Sequence, residues 1–326
     1  MLDKFGCEPQ WEEAGSSQAP LVSDFLSSVY KGLSQPQKTL ECKYLYDKKG
    51  SELFDQICDL PEYYPTRTEV EILQTFAGEI AKAVGTNAEI VELGSGASLK
   101  TRLLLSAMDT PALYVPVDIS KEYLLAVSQT LRADYPGLAV EPVVADFMMP
   151  FSLPKKTEGQ NRLLFFPGST IGNLHRQGAG EFLKSLRVFA GADYFLIGVD
   201  LKKDRAVLEA AYDDAAGVTA EFNLNMLRRI NRELGATFDL GKFRHRAVYN
   251  DTLGRVEMHM ESVVEHQVRV GERNFNFAEG ETIHSENSYK YEQSEFEALA
   301  HLAGWKNKLL WTDSDSKFAV FLLVPD

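Results

Sequence analysis

Two stretches of this chain carry residue types that can do chemistry. In VELGSGASLKT, residues 91–101, an apolar run ends in Gly94, Ser95 and Gly96, with Lys100 close behind. Two glycines there let the backbone turn tightly and approach a ligand closely. A nicotinamide fingerprint would place a third glycine at 99, where this chain has Leu99, and a Walker loop would need a GK[ST] triplet that is absent. Asp118, 24 residues past Gly94, ends the next apolar run and can accept both hydroxyls of a ribose. Asp146 and Phe147 end the third, a carboxylate for an exocyclic amine and a ring for stacking. The second stretch is IHSENSYKY, residues 283–291, which sets an imidazole, a carboxylate, two hydroxyls and two phenols on a segment too polar for an ordinary core strand.

Glycine and aspartate at strand ends are common in any α/β protein, but their order here is informative. An acidic residue, Glu92, stands two positions before G-x-G, and no phosphate grip accompanies it. That is the pattern of S-adenosylmethionine methyltransferases, whose loop wraps the amino-acid end of a cofactor without phosphates. Gly94, Ser95, Gly96, Lys100, Asp118, Asp146 and Phe147 are therefore the expected cofactor-binding residues, with S-adenosylhomocysteine as the product left behind.

The elements that must position these residues follow from hydrophobic periodicity. Leu21, Phe25, Val29 and Leu33 fall at helical spacing, Ser51 to Cys58 reads as a short helix stopped by Pro61 and Pro65, and Glu69 to Ala83 as a longer one. From residue 88 to 201 apolar strands alternate with helices, with strands at 88–96, 113–120, 138–147, 162–173 and 193–201. This predicts a Rossmann-like α/β sheet, parallel and covered on both faces. A long helical region, Asp204 to Glu233, then leads to two alternating strands joined at an Asp251–Gly254 turn. After Gln293 a helix and a terminal antiparallel strand pair close the sheet. The expected organisation is a methyltransferase domain of residues 69–201 and 290–326. It is interrupted by an α+β substrate-binding domain built from residues 1–68 and 202–289.

Composition narrows the partners. Of 326 residues, 44% are hydrophobic and 11% aromatic, enough to bury a sizeable core. A formal net charge of −13 argues against nucleic acid or an anionic membrane as a partner. Cys7, Cys42 and Cys58 show no CxxC spacing, so neither a disulfide framework nor a metal site is expected. The first residues lack an apolar signal core, and no apolar run approaches the ~18 residues needed to span a bilayer. A cytoplasmic, monomeric protein acting on a small molecule is the expectation. No G-x-S-x-G elbow, HExxH or Cys/His pair is present, which leaves acyl transfer and metal hydrolysis without support. The six histidines are scattered, as surface or satisfied core residues would be.

Four motifs, YDKKGSELFDQICDLPEYYPTRTE, ELGSGASLKT, PGSTIGNL and AYDDAAGVTAEFN, together resemble the L-histidine Nα-methyltransferases of ergothioneine biosynthesis. The similarity runs from about Lys43 to the C-terminus. The resemblance implies trimethylation of the α-amino group of L-histidine to hercynine, with no metal. It implies that Tyr63, Asn173 and Tyr212 hold the substrate carboxylate and that Tyr46 lies near the amino group as the catalytic-site residue. Met258 would line the side-chain pocket, while Glu286 and Ser288 would hydrogen-bond the imidazole. Relatives act on other aromatic amino acids, so an alternative is the same chemistry on tryptophan or a modified histidine. A nicotinamide oxidoreductase or a non-catalytic cofactor binder is the alternative from another class. A neutral imidazole has one donor and one acceptor nitrogen, which a carboxylate and a hydroxyl two residues apart on an extended segment can bracket.

Overall fold

The computed structural model describes residues 22–96 and 98–326. The expected leader with Cys7, Leu21 of the first helix, and Ala97 lie outside the described residues.

Helix α1 (Val22–Leu33) and the two-residue strand β1 (Lys38–Thr39) precede α2 (Lys48–Cys58) and α3 (Tyr64–Val84). Asp47 caps α2 by accepting from the Gly50 N–H at 2.8 Å. Helix α3 begins five residues before the expected Glu69. Pro65 does not stop the preceding helix; it sits in the first turn of α3, where its missing N–H has no intrahelical partner to lose. The alternating region then gives β2 (Glu89–Leu93), α4 (Leu99–Ala107), β3 (Leu113–Asp118), α5 (Lys121–Asp134), β4 (Ala139–Val140) and β5 (Val143–Val144). It continues with β6 (Arg162–Phe166), α6 (Arg176–Phe189) and β7 (Tyr194–Asp200). The single strand expected over 138–147 is split because Pro142 has no N–H to give the ladder. The strand expected over 162–173 ends at Phe166, and residues 170–173 form a 3-10 turn instead.

Helix α7 (Arg205–Ala210) and α8 (Val218–Leu234) replace the one long helix expected from Asp204 to Glu233. Asp214 breaks it, because its carboxylate accepts from the N–H groups of Val218 at 2.9 Å and Thr219 at 2.7 Å, capping α8 afresh. Strands β8 (Phe243–Asn250), β9 (Arg255–Ser262), β10 (His266–Val270), β11 (Arg273–Phe277) and β12 (Thr282–Tyr289) follow. Helix α9 (Gln293–Leu302) and the strands β13 (Trp305–Thr312) and β14 (Phe318–Pro325) complete the chain.

The main sheet has eight strands in the order β13-β14-β7-β6-β2-β3-β4, with β5 also paired to β3. Strands β2 to β7 run parallel, and β14 and β13 are added antiparallel. Helices α3, α4 and α5 pack on one face through Ile72, Leu104 and Leu131. Helices α6 and α9 cover the other through Phe182, Leu186 and Phe296. Burying each such side chain contributes about 1.5–3 kcal/mol. A four-stranded sheet, β1-β12-β9-β8, stands apart. Its core joins Phe25, Leu45 and Ile57 from the first sixty residues to Phe222, Met260 and Ile283. The chain after β2 moves outward through β3 and then returns to β6 on the opposite side of β2. Open α/β sheets bind ligands at the carboxyl ends of the strands flanking such a switch point.

Candidate active site

The glycine loop follows β2 at that edge. Gly94 and Gly96 adopt φ of 72° and 46°, which a side chain would oppose. The Gly94 N–H donates to the Val117 carbonyl at 2.8 Å and so pins the loop to the end of β3. The Asp118 carboxylate accepts from Gly96 N–H at 3.3 Å and Ser120 N–H at 2.9 Å, and burial pushes its pKa up. Asp146 accepts from Met148 N–H at 3.0 Å and from Lys43 Nζ at 3.2 Å, and the Phe147 ring stands edge-on to Phe166 with centroids 5.5 Å apart. Beneath the loop, the Thr101 hydroxyl and the Tyr114 phenol both donate to Glu92, whose carboxyl burial lifts to about 7. Lys100 turns its ammonium to the buried Glu69 at 2.5 Å, and Glu69 also accepts the Gly168 N–H at 2.8 Å.

These residues fit a nucleoside cofactor with an amino-acid tail. Two glycines keep the backbone open, and the hydroxyl of Ser95 is buried without a partner. The carboxylates of Asp118 and Asp146 each carry acceptor oxygens at a strand end. Among the described residues the two ammonium groups at this edge, Lys43 and Lys100, are taken up by Asp146 and Glu69.

Beside this loop lies a cavity of about 480 Å³, counting the part open to solvent. Tyr46, Tyr63, Asn173, Tyr212, Met258, Glu286 and Ser288, the seven residues expected on the substrate side, all line it. Glu286 and Ser288 share β12, Met258 lies on β9, and the other four come from the connections between elements. Tyr46 precedes the capped start of α2, where Asp47 is tied to Asn225 and Arg232 of α8. Tyr63 precedes α3. Tyr212 sits in the break between α7 and α8, where the Tyr212 carbonyl and His245 Nε2 are 2.7 Å apart. Asn173 ends the 3-10 turn after β6. That turn packs straight onto the β12 backbone, since a Cβ on Gly172 would lie 2.8 Å from the Tyr289 carbonyl oxygen.

The polar end of the cavity belongs to β12. Strand pairing sets His284 opposite His259 but Glu286 opposite Met258, so Ser285 is an extra residue, a β-bulge. The Ser285 hydroxyl lies 2.6 Å from Asn223 Oδ1 on α8, which fixes the bulge. Its effect is to reverse the alternation, so that Glu286 and Ser288 share the cavity with Met258 while His284 stacks on His259 at 4.7 Å. Asn173 Nδ2 donates to Glu286 at 3.3 Å. Burial pushes the Glu286 carboxyl up to about 8 against the pull of Lys290. Ser288 Oγ and Tyr212 OH are 2.7 Å apart, and the Lys290 ammonium donates to both.

Several lining residues were not singled out from the sequence. Phe54 and Phe222 complete an aromatic wall with Tyr46, with ring centroids 5.5–6.0 Å apart. Both lie inside the motifs SELFDQIC and VTAEFN, which was the signal available. His284, Tyr289 and Tyr291 do not line the cavity. Glu257, His259 and His284 gather elsewhere on the small sheet, but Arg255 and Asn250 already hold Glu257 at 2.7 Å and 3.1 Å. Cys42 and Cys58 are free thiols, and no described helix is long and apolar enough to cross a membrane.

The family model of histidine-specific, S-adenosylmethionine-dependent methyltransferases matches residues 25–325. This chain belongs to that family. Its relatives include the histidine N-alpha-methyltransferase of Mycolicibacterium smegmatis, 43% identical and covering 91% of this chain and 93% of that protein. The ergothioneine biosynthesis protein 1 of Neurospora crassa is 33% identical over 88% of this chain, which matches 33% of that longer protein. The L-tryptophan methyltransferase trpM of Psilocybe serbica is 27% identical over 91% of this chain and 92% of its own length. Among solved structures, the CcbJ methyltransferase of Streptomyces caelestis aligns with a TM-score of 0.43 at 15% identity, covering 78% of this chain and 90% of that one. For this methyltransferase the glycine loop and the aromatic cavity are the two halves of the candidate site.

Proposed function

We propose that this methyltransferase transfers methyl groups repeatedly to the α-amino nitrogen of L-histidine, giving the trimethylated betaine hercynine for ergothioneine biosynthesis. One observation carries the reading: the bulge at Ser285 turns Glu286 and Ser288 into a cavity already lined by Tyr63, Asn173 and Tyr212. One ring nitrogen of an imidazole can then meet a carboxyl group and the other a hydroxyl. Glu286 sits in the cavity as a buried polar group, so an apolar or indole ring would leave it unpaired, at a cost of about 1–3 kcal/mol.

Tyr63, Asn173 and Tyr212 offer donors to the substrate carboxylate, with Asn173 beside Glu286 and Tyr212 beside Ser288. S-adenosylmethionine, held by Gly94, Ser95, Gly96, Asp118, Asp146 and Phe147, supplies an electrophilic methyl group. The attacking amine must be neutral, and among the described lining residues none is a ready base. Burial raises the Tyr46 phenol well above 10, so Tyr46 stays protonated at neutral pH. The proton of the substrate ammonium therefore leaves to water, and Tyr46 orients the amine. Chemistry of this kind needs alignment more than covalent help. A quaternary nitrogen has no N–H to donate, and the Tyr46, Phe54 and Phe222 rings can hold it by cation–π contact through the later rounds.

The same reading divides the chain. Residues 69–201 and 290–326 form the cofactor half, and residues up to 68 with 202–289 the substrate half. The parallel pairing of Lys38 with Ile283 and the shared core of Phe25 with Met260 support this division. Calorimetric titration with each of the twenty amino acids tests the assignment. Histidine should bind alone or far ahead of the rest; tight binding of another amino acid without histidine would contradict it.

A further inference from the structure

Lysine rarely lies fully buried unless it is paired. Lys290, with 0% of its surface exposed, is directly behind the cavity and has all three of its protons placed. Its ammonium meets Asp200 Oδ2 at 2.7 Å, Ser288 Oγ at 2.7 Å and Tyr212 OH at 3.0 Å. Asp200 does not cancel this charge alone, because it is shared with Lys203, whose ammonium lies 2.5 Å from Oδ1. One carboxylate between two ammonium groups leaves a net positive charge on the cluster. Tyr64 joins it as a neutral bridge, donating to Asp200 at 2.7 Å and accepting from Lys203 at 2.7 Å.

Among the described residues, none that lines the cavity is cationic. Lys100 approaches from behind Gly168, but its charge is spent on Glu69 at 2.5 Å. An amino acid entering the cavity brings a carboxylate that must be desolvated, and neutral donors alone hold an anion weakly compared with charge-assisted ones. Building on the reading of this cavity as an amino-acid site, we infer that Lys290 is the buried counter-charge for the substrate carboxylate. It acts one hydroxyl away, through Tyr212, the carboxylate donor it bonds at 3.0 Å. It is a positioning residue, not a catalytic one: by donating to the Tyr212 oxygen, and to Ser288 beside it, it polarises the Tyr212 hydroxyl into a stronger donor to the carboxylate. The arrangement also explains why the cluster is buried rather than solvated, since the same field is stronger where water is excluded.

The test compares L-histidine with L-histidinamide, which keeps the imidazole and the amine but carries an uncharged amide. In the wild type, histidine should bind about 10-fold to 100-fold more tightly than the amide. In Lys290→Met that preference should collapse to within about threefold, through a rise in histidine KM, with kcat and cofactor KM little changed. A preference that survives in Lys290→Met, or a change that falls on kcat or weakens both ligands equally, would overturn the inference. Should the single variant fail to fold with Asp200 left to Lys203 and Tyr64, the Lys290→Met/Asp200→Asn protein removes that ion pair and is judged by the same preference. Failure of the wild type to bind histidine would instead sink the assignment of substrate.

Discussion

The hydroxyl oxygens of Tyr212 and Ser288 stand 2.7 Å apart, and both accept from Lys290. A contact that short between two hydroxyls holds one proton, so the pair spends one of its two protons internally and turns the other to the cavity. Tyr212→Phe and Ser288→Ala therefore each remove the same shared bond. Each should raise the histidine KM, and the double variant should fall short of the summed effects by about 1 kcal/mol. A double-mutant cycle on histidine affinity measures this; strictly additive effects would show that the two hydroxyls act independently.

Glu286 links the site to stability. Its carboxyl lies at about 8 in the folded protein against an ordinary 4.5. A group that holds its proton more tightly when folded contributes stability that is complete below pH 4.5 and lost as pH rises towards 8. The loss is at most about 1.4 kcal/mol per pH unit. Glu286→Gln has no proton to lose. Calorimetric melting should show the variant gaining on the wild type between about pH 5 and pH 8, then a constant difference. Parallel curves across that window would mean the carboxyl is not held protonated.

Gly172 sets the position of Asn173. A methyl group there would meet the β12 backbone at 2.8 Å and 3.2 Å, on the Tyr289 oxygen and nitrogen. Gly172→Ala should cost about 1–3 kcal/mol of stability. It should also raise the histidine KM more than the cofactor KM, because Asn173 moves from Glu286. Steady-state kinetics with each substrate varied in turn separate the two; an equal rise in both would indicate a general loosening.

Tyr46 is placed as an orienting phenol. Tyr46→Phe should lower turnover by less than the roughly 100-fold to 10,000-fold that loss of a general base costs. Histidine binding should weaken alongside. Turnover abolished with binding intact would make Tyr46 the base after all.

Much of the candidate site was legible in the sequence because its signals are local. The glycine loop, Asp118 and Asp146 are ends of apolar strands, and the period of those strands is visible without coordinates. Single-residue breaks and non-local causes were not legible. Pro142 splits a strand and Asp214 caps a second helix, and each of these decisions depends on one residue overruling a continuous apolar pattern. The bulge at Ser285 depends on how β12 pairs with β9 and on Asn223 from α8, so Glu286 facing the cavity while His284 turns away could not be read from spacing. Lys290 was missed for a related reason: a lysine reads as surface until Asp200, ninety residues earlier in the chain, is seen beside it.

The central claim is that this cavity methylates the α-nitrogen of histidine until no proton remains. Mass spectrometry of L-histidine incubated with the protein and methyl-labelled S-adenosylmethionine tests it most directly. Three labelled methyl groups on the α-nitrogen, none on the ring, and no product from tryptophan are the result expected here. Unmodified histidine beside a methylated product from another amino acid, or label on the imidazole, would contradict it.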